Sequence, residues 1–142
     1  MRILLLNGPN LGILGRRQPE IYGTRTLEDI VREARAHAEA RGASLEHLQT
    51  NHEGALIDRL ERSDYDAVVI NPGALAHTSY ALFDALVACG RPIAEVHISD
   101  TQTREPWRHA SVTAPAARHQ VVGRGPGGYV EAIDRLLDDA ER

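Results

Sequence analysis

The feature that most constrains this chain is the alternation of two periodicities along its whole length. Short apolar and β-branched runs at 2–6, 44–49, 67–71, 93–97 and 119–123 read as five strands, and helical patterns lie between them. Several of these runs, such as RILLL and AVVIN, are continuously apolar, as expected for a sheet covered on both faces. The clearest helical pattern sets Leu27, Ile30, Val31, Ala34 and Ala38 on one face. Thr26 and Asp29 form a capping-box start for it, and Gly42 stands just past its end. Weaker patterns follow at Leu56, Ile57 and Leu60, from Thr78 to Cys89 with Gly90 closing it, and at Val130, Ile133, Leu136 and Leu137. Alternation of this kind predicts an α/β fold: a doubly wound, five-stranded parallel sheet with right-handed crossovers and strand order 2-1-3-4-5. At 142 residues, with no repeat, linker or low-complexity tract, the chain reads as a single domain over 1–142.

That topology predicts where chemistry sits. Open α/β sheets bind ligands beyond the carboxyl ends of their strands, near the point where strand order reverses. There the sequence places NGPN after strand 1, NPGALAHTS after strand 3 and HISD at the end of strand 4, all rich in side chains that bind or transfer protons.

Composition removes several function classes. A net charge of −4 lacks the basic excess of a general nucleic-acid binder. Cys89 is the only cysteine, so no intrachain disulfide or cysteine zinc cage can form, and its apolar helical setting points to packing. The run ILLL is too short for a signal-peptide core and no stretch approaches membrane-spanning length, so a cytoplasmic protein is expected. All basic side chains other than histidine are arginine. With no lysine, a Schiff base, a pyridoxal phosphate anchor and a Walker lysine are excluded.

Three motifs need weighing. GRGPGG, residues 123–128, matches G-x-G-x-x-G, but only one helix follows it, with no second strand carrying an acidic residue. A glycine-rich turn with Pro126 opening a helix accounts for it better. The seven histidines show no H-E-x-x-H pair, and His37, His47, His109 and His119 read as solvated or helix-surface residues. His77 and His97 differ, because both fall at carboxyl ends of strands alongside Asn10 and Asn71. The third motif is NLGILGRRQPEIYG, whose turn formers carry Arg16, Arg17 and Tyr22. A phenol with a pKa of about 10 is barely ionised at neutral pH, and a guanidinium beside it favours the ionised form by roughly 1 to 3 pKa units. Such a pair makes a general base.

NGPNLGILGRRQPEIYG, NHEGALID, NPGALAHTS and EVHIS, in this order, resemble the type II 3-dehydroquinate dehydratases from end to end. The resemblance implies a flavodoxin-like subunit, assembled as a dodecamer of trimers, that converts 3-dehydroquinate to 3-dehydroshikimate without cofactor or metal. No nucleic acid or membrane partner is implied. The route is proton removal alpha to the ketone, an enolate, and anti loss of the beta hydroxyl as water. By the same resemblance Tyr22 is the proton acceptor and Arg17 the cation that ionises it. His97 protonates the leaving hydroxyl, with Glu95 orienting it. Asn10 helps hold the enolate. Asn71 and the backbone N–H groups of Ile98 and Ser99 take the substrate carboxylate. His77 and Arg108 take ring hydroxyls, Asp84 reaches a neighbouring subunit's site, and Arg104 is a further site arginine. Residues 16–24 form a lid.

The chain departs from the family pattern at four places. Phe83 replaces an arginine beside Asp84, Ala76 a threonine and Gln18 a glutamate, and DTQT (100–103) follows Ser99 where asparagine and histidine are expected. Two other classes compete with the dehydratase: a flavodoxin-like binding or regulatory module without chemistry, and a metal-dependent hydrolase built on His77 and His97.

Overall fold

A computed structural model describes all residues, 1–142. Five strands, β1 (Arg2–Asn7), β2 (Ser44–Gln49), β3 (Ala67–Asn71), β4 (Ile93–His97) and β5 (His119–Val122), form one sheet in the order β2-β1-β3-β4-β5. Every pairing is parallel. The doubly wound α/β topology read from the alternation, flavodoxin-like as the resemblance implies, is therefore the one observed. Five α-helices accompany the strands: α1 (Pro19–Tyr22), α2 (Leu27–Ala40), α3 (Glu53–Glu61), α4 (Tyr80–Cys89) and α5 (Gly128–Ala140).

The period-2 alternation of strand side chains divides the core into two layers. Ile3, Leu5, Ala67, Val69, Ala94 and Val96 face α2 and α5, while Leu4, Leu6, Val68, Ile70 and Ile93 face α3 and α4. Each leucine or isoleucine so buried contributes about 1.5–3 kcal/mol, which is why the apolar runs sit mid-sheet rather than at an edge. The same alternation sends Asn7 and Asn71 toward the α5 face and Glu95 and His97 toward the opposite one. These polar residues end their strands, so the sheet delivers them together at its carboxyl edge.

Helix starts follow local chemistry. Thr26 and Asp29 close the expected capping box, with Asp29 N–H donating to Thr26 Oγ1 (3.1 Å) and Thr26 N–H to Asp29 Oδ2 (3.2 Å). Ser79 caps α4 by accepting from Leu82 N–H at 2.9 Å, so the helix begins at Tyr80 and not at Thr78. Residues Gly73–His77 form a 3-10 turn instead. β5 ends at Val122, one residue early, because Gly123 has turned to φ +75°. The buried stripe of α5 is Tyr129, Ala132, Ile133, Leu136 and Leu137, leaving Val130 only half-buried. Cys89 is half-buried, and its thiol donates to Leu86 C=O.

Candidate active site

Beyond the carboxyl ends of β3 and β4 lies a cavity enclosing about 350 Å³ including its mouth. Arg17, Tyr22, Asn71, His77, His97, Ile98, Ser99 and Arg108 of the expected site all line it, and Arg104 and Thr101 join them. Two expected residues are elsewhere. Asn10 is exposed in a left-handed turn (φ 69°), its backbone N–H held by Asn51 Oδ1 at 3.0 Å, and its side chain lines no part of the cavity. Asp84 sits in a separate open groove between α3 and α4, beside Ile57, Leu60, Ala81 and Cys89. That groove is larger and mostly apolar, and besides Glu61, Asp84 and Cys89 it holds no histidine, tyrosine or arginine.

No carboxylate lines the cavity, whereas three guanidiniums do. Burial lowers the Arg17 pKa, and the neighbouring Arg104 and Arg108 charges push the same way while Tyr22 opposes them. An anion entering here relieves that mutual repulsion.

Tyr22 is buried at the end of α1, within the loop predicted to be a lid. The turn into this loop requires Gly15: its φ is +93°, and a Cβ would meet Thr24 C=O and the Thr26 methyl at 3.2 Å. Two arginines attend the phenol, in unlike ways. Arg104 Nη1 donates to its hydroxyl at 2.5 Å and to Ser99 Oγ at 3.3 Å. Arg17 instead lies over the ring face, 4.3 Å from the centroid. The contact to the oxygen thus belongs to Arg104, which the sequence reading held second to Arg17. Arg104 Nε is buried without any partner, so this guanidinium keeps one donor unspent.

On the other side His97 Nε2 lies 2.9 Å from Glu95 Oε2. Glu95 is fully buried and also accepts from Ser111 Oγ (2.7 Å) and from Thr113 Oγ1. Burial opposes its ionisation, but the His97 contact and the two hydroxyls outweigh it and hold the Glu95 pKa below the usual carboxylate range. Because Glu95 can only accept, Nε2 carries a hydrogen and Nδ1 is left free. His77 Nδ1 is committed to Ala110 C=O at 2.7 Å, which leaves its Nε2 free. Burial, with His97 and Arg108 nearby, lowers the His77 pKa, so that nitrogen is a neutral acceptor for a hydroxyl. Arg108 stacks on Trp107 (4.0 Å) and pairs with Glu105. No group of three or more His, Cys, Asp or Glu side chains is arranged to hold a metal ion.

The glycine-rich stretch that ends β5 has a structural part in the site. Gly123 N–H donates to His97 C=O and Gly125 N–H to Ile98 C=O, each at 3.1 Å. In a trans peptide the N–H points opposite to the C=O. Pinning these two carbonyls toward the glycines therefore turns the N–H groups of Ile98 and Ser99 the other way, and neither has a backbone partner. Two adjacent unpaired N–H groups form an anion-binding concavity.

What the arrangement offers is a phenol under a guanidinium, a carboxylate-backed imidazole and a concentration of anion-binding donors in one acid-free cavity. Comparison with known proteins agrees with it. The family model Dehydroquinase class II matches residues 1–137. A catabolic 3-dehydroquinase of Aspergillus clavatus is 52% identical over 136 residues, covering 94% of this chain and 91% of its own. A 3-dehydroquinate dehydratase of Roseiflexus castenholzii is 51% identical over 139 residues, covering 96% and 88%. The crystal structure of a type II dehydroquinase from Butyrivibrio crossotus superposes with a TM-score of 0.95 at 44% identity, covering 96% of this chain and 97% of that one. This chain belongs to the class II dehydroquinase family.

Proposed function

We propose that the chain, acting as a single catalytic domain over 1–142, dehydrates 3-dehydroquinate to 3-dehydroshikimate by anti elimination through an enolate. The observation that carries this reading is the convergence of Tyr22 under Arg104 and of His97 backed by Glu95 in one cavity lined by three arginines and no acid. Ionised Tyr22 takes the proton alpha to the ketone, and the electron pair passes into the enolate. Arg104 at the hydroxyl and Arg17 over the ring stabilise the phenolate. As the enolate collapses, the beta carbon–oxygen bond breaks, the carbon–carbon double bond forms, and His97 protonates the departing oxygen so that water leaves. The proton gained by Tyr22 must return to His97 before the next cycle.

The substrate carboxylate is assigned to Asn71 and the Ile98 and Ser99 N–H groups, and ring hydroxyls to His77 and Arg108. Asn10, exposed in this chain, reaches the enolate only if the loop after β1 closes further. Without a lysine the reaction cannot run through an imine. We also assign a homo-oligomer, a dodecamer of trimers, in which Asp84 of one subunit serves a neighbour's site. A cytoplasmic location belongs to the same reading, and no helix is long and apolar enough to cross a membrane.

The test is enone formation from 3-dehydroquinate, with and without chelator, followed by borohydride treatment and mass spectrometry. Turnover indifferent to chelator and no trapped adduct are expected. Absence of turnover, or a covalent adduct, would overturn the assignment.

A further inference from the structure

We infer that Tyr129, backed by Asn7 and His47, is a positioning residue that, as the second anchor beside the Gly73 N–H, fixes which way the Asn71 carboxamide faces in the site. The inference rests on the proposed role of Asn71 as a carboxylate ligand.

Four hydrogen bonds form one continuous chain across the carboxyl edge of the sheet. Gly73 N–H donates to Asn71 Oδ1 (3.1 Å), and Asn71 Nδ2 donates to Tyr129 Oη (2.9 Å). The Tyr129 hydroxyl donates to Asn7 Oδ1 (2.6 Å), and Asn7 Nδ2 lies 3.0 Å from His47 Nε2. The residues come from β3, α5, β1 and β2, so no local segment contains the device. All but His47 and Gly73 are buried, with Asn7 and Tyr129 fully so.

The direction of every link follows from its ends. A backbone N–H can only donate, so Gly73 requires Asn71 to present oxygen there and nitrogen to Tyr129. The Tyr129 oxygen thereby accepts, and its one hydrogen goes to Asn7. Asn7 then turns its nitrogen to His47, whose Nε2 must accept. That end is also consistent, because burial, with a smaller contribution from the Arg35 charge, lowers the His47 pKa to about 4 and leaves the ring neutral. Reversing any one amide would set donor against donor at Gly73 or leave a buried group unpaired. A carboxamide otherwise has two nearly equivalent orientations. Here one is selected, and it reserves the second Nδ2 hydrogen of Asn71, the one not spent on Tyr129, for an anion in the cavity that Asn71 lines.

Tyr129→Phe removes one oxygen and keeps the ring that packs in the core. The expected result is a KM for 3-dehydroquinate raised about tenfold with kcat within a few-fold, since the loss falls on ground-state and transition-state binding alike. Asn71→Ala should raise KM at least as much, and the double variant should be no worse than Asn71→Ala alone. Asn7→Leu should reproduce Tyr129→Phe. Asn7→Asp, which still accepts from Tyr129 and offers its other oxygen to a protonated His47, should restore KM. A neutron structure of Tyr129→Phe, which tells the amide nitrogen from its oxygen, should show the Asn71 side chain rotated or split between two orientations.

An active Tyr129→Phe enzyme with unaltered KM, or losses that add in the double variant, would overturn the inference. Should the unaltered chain fail to turn over 3-dehydroquinate, the dehydratase reading falls and the neutron structure alone decides. A rotated Asn71 then supports the positioning role, and an unmoved one refutes it.

Discussion

Replacing Arg104 by Ala takes away the guanidinium that donates to the Tyr22 hydroxyl at 2.5 Å. Once the phenol has lost its proton, this contact is a charge pair. Two unit charges about 4 Å apart at an effective dielectric of about 20 attract by about 4 kcal/mol, and a hydrogen bond to a charged group contributes about 1.5–3 kcal/mol net. Water entering the vacated space returns part of the attraction, so about 2–3 kcal/mol of phenolate stabilisation is lost. That corresponds to a fall of about 30- to 150-fold in kcat. Arg17 acts through the ring face at 4.3 Å, where a cation–π contact is worth about 0.5–2 kcal/mol, or about 2- to 30-fold. Its removal also relieves repulsion with Arg104 and Arg108, which offsets some of the loss. Arg104→Ala is therefore the more damaging of the two, the reverse of the order read from the sequence. Tyr22→Phe, which removes the base, costs more than either, and Arg104→Ala added to it changes little. Exposed Arg16 tolerates Ala. The assay is initial-rate enone formation across pH. An Arg104→Ala enzyme within a few-fold of normal beside a collapsed Arg17→Ala enzyme would refute this reasoning, as would additive losses from Arg104 and Tyr22.

His97→Ala should lower kcat by roughly 10²- to 10⁴-fold with a smaller change in KM, the pattern of a general acid; near-normal turnover would return His97 to a structural role. His47 makes stability depend on pH. Its folded pKa, about 4, lies below the unfolded value of about 6.5, so the unfolded chain binds the proton first and stability falls as pH drops from about 6.5 to 4. Allowing for partial solvent screening, the loss is about 1–2 kcal/mol. Urea titrations should show a smaller fall over this window for His47→Gln, and equal falls would refute the assignment. Asp84→Ala should lower turnover, through the partner's site, without unfolding the subunit; sedimentation of a fully active monomer would exclude that contact.

The chain alone determined the order of strands and helices, the two-faced burial of the sheet and the edge where chemistry gathers. Each of these follows from local periodicity, caps and chain connectivity, which nearest-neighbour physics imposes. Tyr22, His97, Asn71 and His77 could be named because they lie in loops or at strand ends, where side chains of those types are hard to explain by packing, whereas Arg108 was named only by the family resemblance. The signal for Tyr129 was also present, in its spacing from Ala132, Ile133 and Leu136, but it reads as a core position and hides a hydroxyl. What only the tertiary structure decided is which polar atom meets which. Arg104 reaches Tyr22 across 82 residues, Tyr129 reaches Asn71 across 58 and Asn7 across 122. Hydrogen bonds are short and directional. A shift of one ångström or one rotamer decides whether Arg17 or Arg104 holds the phenol oxygen, and that position is set by how the helices and loops pack on the finished sheet.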